Sequence, residues 1–381
     1  MNGLKSCYNK ESNNKIIKIG PLNTQNNDNI TILNKKIKSS QTLCNEMEDK
    51  SNENASLKFV CSIDLIEDAY SFLSENTFCI FESINNIFYL IYSNKKNSII
   101  LYNIIDYKKI NEIKNAHKKH ITSYKFNFDK TKNRDLVISV SAEDNNIKLW
   151  NVNNLECLYN FENINRIGYL YSACFINDNN NIFIVSSNWN YIYNSVESIK
   201  IFDLNGNQIK IINNSNDKIF FIDSFYDNNN AKSYIITGNI GYIKSYDYTE
   251  NRIYHKYTEK DNNNHTNIIF KKNEGIIELI ELIEWGLYIK IWNFHSGELI
   301  KKIKANNQLY GFCLLRNNYL CYGNHDNAIR LINLNNGQKI LKLVGHNNSV
   351  LTIKKLDHPK YGECLISQDA DGKIKIWKNY K

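Results

Sequence analysis

From about residue 55 onward the chain alternates between two textures. Short runs of β-branched and aromatic residues are separated by clusters rich in Asn, Asp and Gly. Apolar runs this short, bounded by turn formers, predict strands, because a helix needs a longer stretch with apolar residues every three or four positions. Seven of the runs share an ending, an aromatic or aliphatic residue followed by a polar one. They are IILYN at Tyr102-Asn103, IKLWN at Trp150-Asn151, IKIFD at Phe202-Asp203, IKSYD at Tyr246-Asp247, IKIWN at Trp292-Asn293, IRLIN at Ile332-Asn333 and IKIWK at Trp377-Lys378. The spacings between them are 48, 52, 44, 46, 40 and 45 residues. A period of about 40–45 residues is the length of one four-stranded sheet unit.

Two repeats carry more than the shared ending. In the last, Gly345-His346 precedes a strand beginning at Val350, Ser367 lies on the next strand, Asp371-Gly372 forms a tight turn and Trp377 closes the third strand. The second repeat has His117, Asp144 and Trp150, with Ser139 or Ser141 as its serine. The sixth keeps Asp326 but has Ile332 in place of Trp, and the turn Asp is replaced by Ile240 in the fourth and Gly286 in the fifth. On these residues everything after residue 54 resembles the WD40-repeat β-propeller family. The resemblance implies an all-β, seven-bladed propeller in which such His, Ser, Asp and Trp residues form a hydrogen-bonded tetrad inside a blade. The expected tetrads are His346, Ser367, Asp371 and Trp377, and His117, Asp144 and Trp150. Blades with degenerate repeats are expected to hold by packing alone.

The last repeat supplies only three strands, and an open ring leaves unpaired strand edges. The segment LKFVCSI, residues 57–63, is an orphan strand ahead of the first full repeat, placed to supply the missing outer strand of blade seven. Residues 1–54 are polar and low in complexity, with too little apolar surface to offset the entropy of ordering them, and read as a disordered arm. The domain reading is therefore an arm over 1–54 and a propeller over 55–381.

Composition narrows the function classes. Formal charge is +8, but the basic residues are spread along the chain among Asp and Glu, and Arg occurs at five positions only. A solvated basic surface accounts for this better than a nucleic-acid face, so nucleic acid is disfavoured as a partner. Nine Cys occur without a CxxC pair, and Cys79, Cys174, Cys313, Cys321 and Cys364 sit in apolar runs, as buried free thiols in a reducing compartment would. The N-terminal MNGLKSCYNK lacks an apolar h-region, and the most apolar stretch, residues 275–292, is broken by Glu278, Glu281, Glu284 and Lys290. An intracellular protein without a transmembrane segment is expected, in the cytoplasm rather than the nucleus. His117-Lys118-Lys119-His120 is the nearest approach to a metal motif, but His117 falls where a tetrad histidine is wanted. The three glutamates read as solvated or paired across strands. No catalytic set, cofactor site or metal site is expected, and no small-molecule substrate.

The function expected from the resemblance is a non-catalytic protein–protein interaction scaffold or adaptor binding peptides or domains on one face of the ring. The alternative is lysine-driven binding of an anionic ligand, nucleic acid or a membrane surface. In the third repeat the turn between a strand ending near Ser187 and one starting at Ser198 is extended and carries Trp189, Tyr191 and Tyr193. Exposed Trp and Tyr are the residues of interface hot spots. In the family this turn lies on the face used for peptide binding, and Arg166, Tyr169, Phe220, His265, Trp285 and Tyr310 are expected near that face.

Overall fold

The computed structural model describes residues 45–46, 59–66, 69–70, 77–161, 169–178, 180–189, 197–214, 219–259, 265–273, 275–283, 287–305 and 308–379. Seven antiparallel sheets follow one another along the chain. Blade one is built from Phe78–Glu82, Phe88–Ser93, Ile99–Asn103 and Lys108–Ile113, and blade two from Ser123–Asp129, Arg134–Ser141, Asn146–Asn151 and Glu156–Phe161. Blade three has Tyr169–Asp178, Asn181–Trp189, Glu197–Phe202 and Gln208–Asn214; blade four has Phe221–Asp227, Lys232–Gly238, Tyr242–Asp247 and Arg252–Thr258. Blade five comprises His265–Asn273, Ile276–Ile283, Tyr288–Asn293 and Leu299–Lys304, and blade six Leu309–Leu314, Tyr319–Asn324, Ala328–Asn333 and Lys339–Val344. Blade seven takes Val350–His358, Gly362–Asp369 and Ile374–Asn379 from the end of the chain. The first strand of each blade packs on that of the next, and the first strand of blade seven reaches that of blade one.

Both faces of each sheet are covered by neighbouring blades, which is why the second strands read as unbroken apolar runs. Leu136, Val137 and Ile138 are all buried, yet they serve two cores. Leu136 and Ile138 pack with Ala173 and Ile184 of blade three, while Val137 packs with Ile91 and Leu101 of blade one. Successive side chains on a strand point to opposite faces, so one run feeds both interfaces.

The Asn or Asp that ends the shared run in the first six repeats has a local cause. Its side-chain oxygen accepts the backbone N–H two residues on: Ile105 onto Asn103 at 2.9 Å, Asn205 onto Asp203 at 2.9 Å, Thr249 onto Asp247 at 2.9 Å, His295 onto Asn293 at 3.0 Å and Asn335 onto Asn333 at 2.8 Å. These Asx turns lead into the fourth strand. Each turn then passes through the left-handed region, at Gly206, Asn251, Gly297 and Gly337 but also at Tyr107 (φ 54°) and Leu155 (φ 62°). In blade seven the equivalent position is Lys378.

The outer strand of blade seven comes from the other end of the chain. Phe59–Ile66 pairs antiparallel with Ile374–Asn379, with Ser62 opposite Trp377 and Asp64 opposite Lys375, whose ammonium bonds the Asp64 carboxylate. This strand lies slightly later than the 57–63 expected from sequence. The chain divides after Thr42, and within the unit Leu43–Lys381 the pair Asn45–Glu46 adds to the outer edge of blade six opposite Leu343 and Lys342. Among the described residues no helix is long and apolar enough to cross a membrane.

Candidate interaction surface

Blade seven contains a continuous buried hydrogen-bond chain. Trp377 Nε1–H donates to Ser367 Oγ at 2.7 Å, Ser367 Oγ lies 2.7 Å from His346 Nε2, and His346 Nδ1 lies 2.8 Å from Asp369 Oδ2. All bonds are satisfied when a neutral His346 carries its proton on Nδ1 and the Ser367 hydroxyl donates to Nε2. Burial holds the His346 imidazole below its ordinary pKa, although Asp369 pulls the other way. Burial also opposes the Asp369 charge, but bonds from His346 and from the backbone of Lys373 and Asp371 lower its pKa nevertheless.

Blade two repeats the core of this chain. Trp150 Nε1–H donates to Ser139 Oγ at 2.8 Å, and Ser139 Oγ lies 2.7 Å from His117 Nε2. Asp144 Oδ2 is 4.0 Å from His117 Nδ1, too far for a hydrogen bond, and accepts the Lys119 backbone N–H at 2.9 Å instead. Burial, with Lys148 adding to it, lowers the pKa of His117 to about 3.

These chains stiffen the scaffold beneath one face of the ring, where the innermost strands begin. At this upper face Tyr169 and His265 are the first residues of the inner strands of blades three and five, Phe220 immediately precedes that of blade four, and Tyr310 is the second residue of that of blade six. Trp189, the last residue of its strand, lies directly opposite Tyr169 in register. Phe220 and Tyr310 are partly buried, and the Tyr310 ring lies 6.4 Å from that of His325. Across the ring the Tyr70 and His120 rings stack at 4.1 Å and 10°. Tyr70 is fastened through its backbone, its N–H donating to Ser93 O at 2.7 Å and its carbonyl accepting from Gln368 Nε2 at 3.0 Å.

Residues 337–378, the last strand of blade six and most of blade seven, match the family described as WD domain, G-beta repeat. That match falls on the blade with the complete buried chain, and six further blades share its four-stranded plan. The chain is a seven-bladed β-propeller that carries a WD repeat. No curated protein matches it. WD-repeat propellers are typically protein-interaction scaffolds and generally non-catalytic, which makes the open face of the ring the place to seek function.

Several sequence assignments change against the WD-repeat frame. The blade-seven carboxylate on His346 is Asp369, not Asp371; Asp371 instead accepts from Asn348 Nδ2 at 2.9 Å. The blade-two serine is Ser139, while Asp144 caps a loop amide outside hydrogen-bond reach of the histidine. Trp189 belongs to a strand that runs past Ser187, and the next strand starts at Glu197. Tyr191, Tyr193, Arg166 and Trp285 lie outside the described residues, so the expected aromatic cluster of blade three is represented by the Trp189–Tyr169 register alone.

Degenerate blades do not rely on packing alone. In blade five Trp292 Nε1–H donates to buried Glu281 at 2.6 Å. In blade four Tyr257 lies 3.2 Å from Ser245 Oγ and donates to Phe294 O of blade five at 2.6 Å. Blade six uses Asp326 to accept from Arg330 Nη1 at 2.7 Å, beside buried Ile332. Glu278 is buried and paired across the strands with Lys271 at 3.0 Å rather than solvated. Sequence reading also missed the Tyr70–His120 stack. Tyr70 lies outside every repeat, so no spacing argument singles it out.

Proposed function

We propose that this propeller is a non-catalytic protein–protein interaction scaffold that grips a peptide or domain on its upper face. The observation that carries the reading is the convergence of Tyr169, Trp189, Phe220, His265 and Tyr310 at one end of four successive blades. A preformed ring of this kind binds without the cost of ordering its own surface. Aromatic residues at an interface supply contact area at little entropic cost.

The test is affinity capture from lysate at low and high salt, comparing the native chain with Trp189→Ala and Tyr310→Ala variants. Protein partners that survive high salt and are lost with the aromatic variants support the scaffold. Capture that dissolves in salt whatever the rim residues are points to lysine-driven attraction of an anionic ligand.

A further inference from the structure

The lower corner of blade seven, where its first two strands turn through Pro359, Lys360 and Tyr361, has an arrangement that packing does not require. His358 Nδ1 accepts the backbone N–H groups of Lys360 at 3.0 Å and Tyr361 at 3.3 Å, and the His358 and Tyr361 rings lie 4.6 Å apart. The turn therefore holds the tyrosine in one place. Lys378, only 6% exposed, sets its ammonium 4.2 Å from the Tyr361 ring centroid. Lys360 places a second ammonium 5.3 Å from the same centroid. Tyr107 reaches over from blade one, its ring centroid 5.4 Å from Lys378 Nζ.

Two ammoniums thus lie close to the Tyr361 ring, and one of them, Lys378, also lies close to the ring of Tyr107. Burial raises the pKa of the Tyr361 phenol, but the charges and hydrogen bonds of Lys378 and Lys360 more than reverse this. The six other tyrosines with a resolved shift, Tyr89, Tyr102, Tyr124, Tyr234, Tyr248 and Tyr257, all move upward through burial. His358 feels the same field independently: burial lowers its pKa first, then Lys378 and Lys360. Tyr361 itself is only partly buried.

We propose that Tyr361 is a nucleophilic tyrosine, a modification site on the lower corner of blade seven that takes activated sulfonyl electrophiles. The phenol loses its proton to solvent, the phenolate oxygen attacks sulfur, the O–S bond forms, and the S–F bond of a sulfonyl fluoride breaks as fluoride leaves with its electron pair. Lys360 and Lys378 stabilise the phenolate beforehand and the charge that gathers on the sulfonyl oxygens during attack.

The experiment treats the full chain with benzenesulfonyl fluoride at pH 7.5 and follows every tyrosine by peptide mass mapping. Tyr361 is expected to react at least about tenfold faster than Tyr159 and Tyr226, which are 37% and 39% exposed and lie outside the cluster. Lys360→Gln, on the exposed turn, is expected to slow that labelling about threefold or more, and Lys378→Met further still. Should Lys378→Met lose its fold by circular dichroism, Lys360→Gln decides alone. Labelling of Tyr361 no faster than of the two reference tyrosines, an adduct on either lysine in its place, or an unchanged rate in Lys360→Gln overturns the proposal.

Discussion

The indole of Trp292 donates its Nε1–H to the carboxylate of Glu281 at 2.6 Å, with Glu281 fully shielded from solvent. The two are eleven positions apart on adjacent strands, the same separation as Ser139 and Trp150 in blade two. A glutamate here takes over the acceptor role that serine plays where a histidine is also present. Removing the acceptor leaves a buried N–H without a partner, so Glu281→Ala is expected to cost about 2 kcal/mol, whereas Glu281→Gln retains a carbonyl acceptor and costs less. Urea denaturation of both variants checks this; equal losses would place the effect in packing and not in the bond.

The carboxylate of blade seven is decided by a second pair of variants. Asp369 is fully buried on His346, while Asp371 bonds the side chain of Asn348 at the surface. Asp369→Ala is expected to destabilise by about 2–3 kcal/mol and Asp371→Ala by about 0.5 kcal/mol, as buried and exposed polar contacts differ. Thermal melts of the two proteins distinguish them, and the reverse order would restore Asp371 to the buried chain.

Ring closure rests on a close backbone approach. Gly372 adopts φ +86°, and a Cβ placed there would meet Ala69 O at 1.9 Å. Gly372→Ala combines left-handed strain with a clash against the strand-bearing N-terminal segment, and is expected to cost about 3 kcal/mol. Deleting residues 1–50 should leave the melting temperature nearly unchanged, because the closing strand Phe59–Ile66 is intact. Deleting 1–66 removes that strand and should unfold the ring; equal melting of the two truncations would show that blade seven closes without it.

Acid should weaken the propeller through a histidine before it reaches the carboxylates. Burial lowers the folded pKa of His117 to about 3, against an unfolded value near 6.5, so the unfolded chain binds the proton first. The stabilisation is complete above about pH 6.5 and declines as pH falls toward 3, amounting to about 2 kcal/mol lost by pH 5. Asp369 lies outside this window, since its lowered pKa delays its protonation to more acidic pH. Urea midpoints at pH 7.5 and pH 5, for the native chain and His117→Gln, test the assignment; the variant should show a smaller fall.

Much of the architecture was legible because it is written locally. Each strand needs a short apolar run, and six of the seven repeats follow it with an Asn or Asp to accept the amide two residues on, so seven repeats announce seven blades. The orphan strand ahead of the first repeat was readable for the same reason: it is an apolar run left over once the units are counted. The amino-acid sequence by itself thus determined the blade count, the closure and the tetrad members His346, Ser367 and Trp377.

What it did not determine depends on pairs far apart in the chain or on angles within a turn. Asp369 and Asp371 differ by two positions, and only the path of the turn decides which carboxylate faces His346. Glu281 reads as solvated or paired across strands, and only the folded blade shows it buried and accepting from the Trp292 indole. Tyr70 meets His120 fifty positions further on, with blade one between them in the chain, and Lys378 meets Tyr107 only when the end of the chain is brought round to blade one. The tertiary structure decided these contacts because hydrogen bonds and ring stacking act over a few ångströms, a distance that closing the ring creates and that linear spacing does not encode.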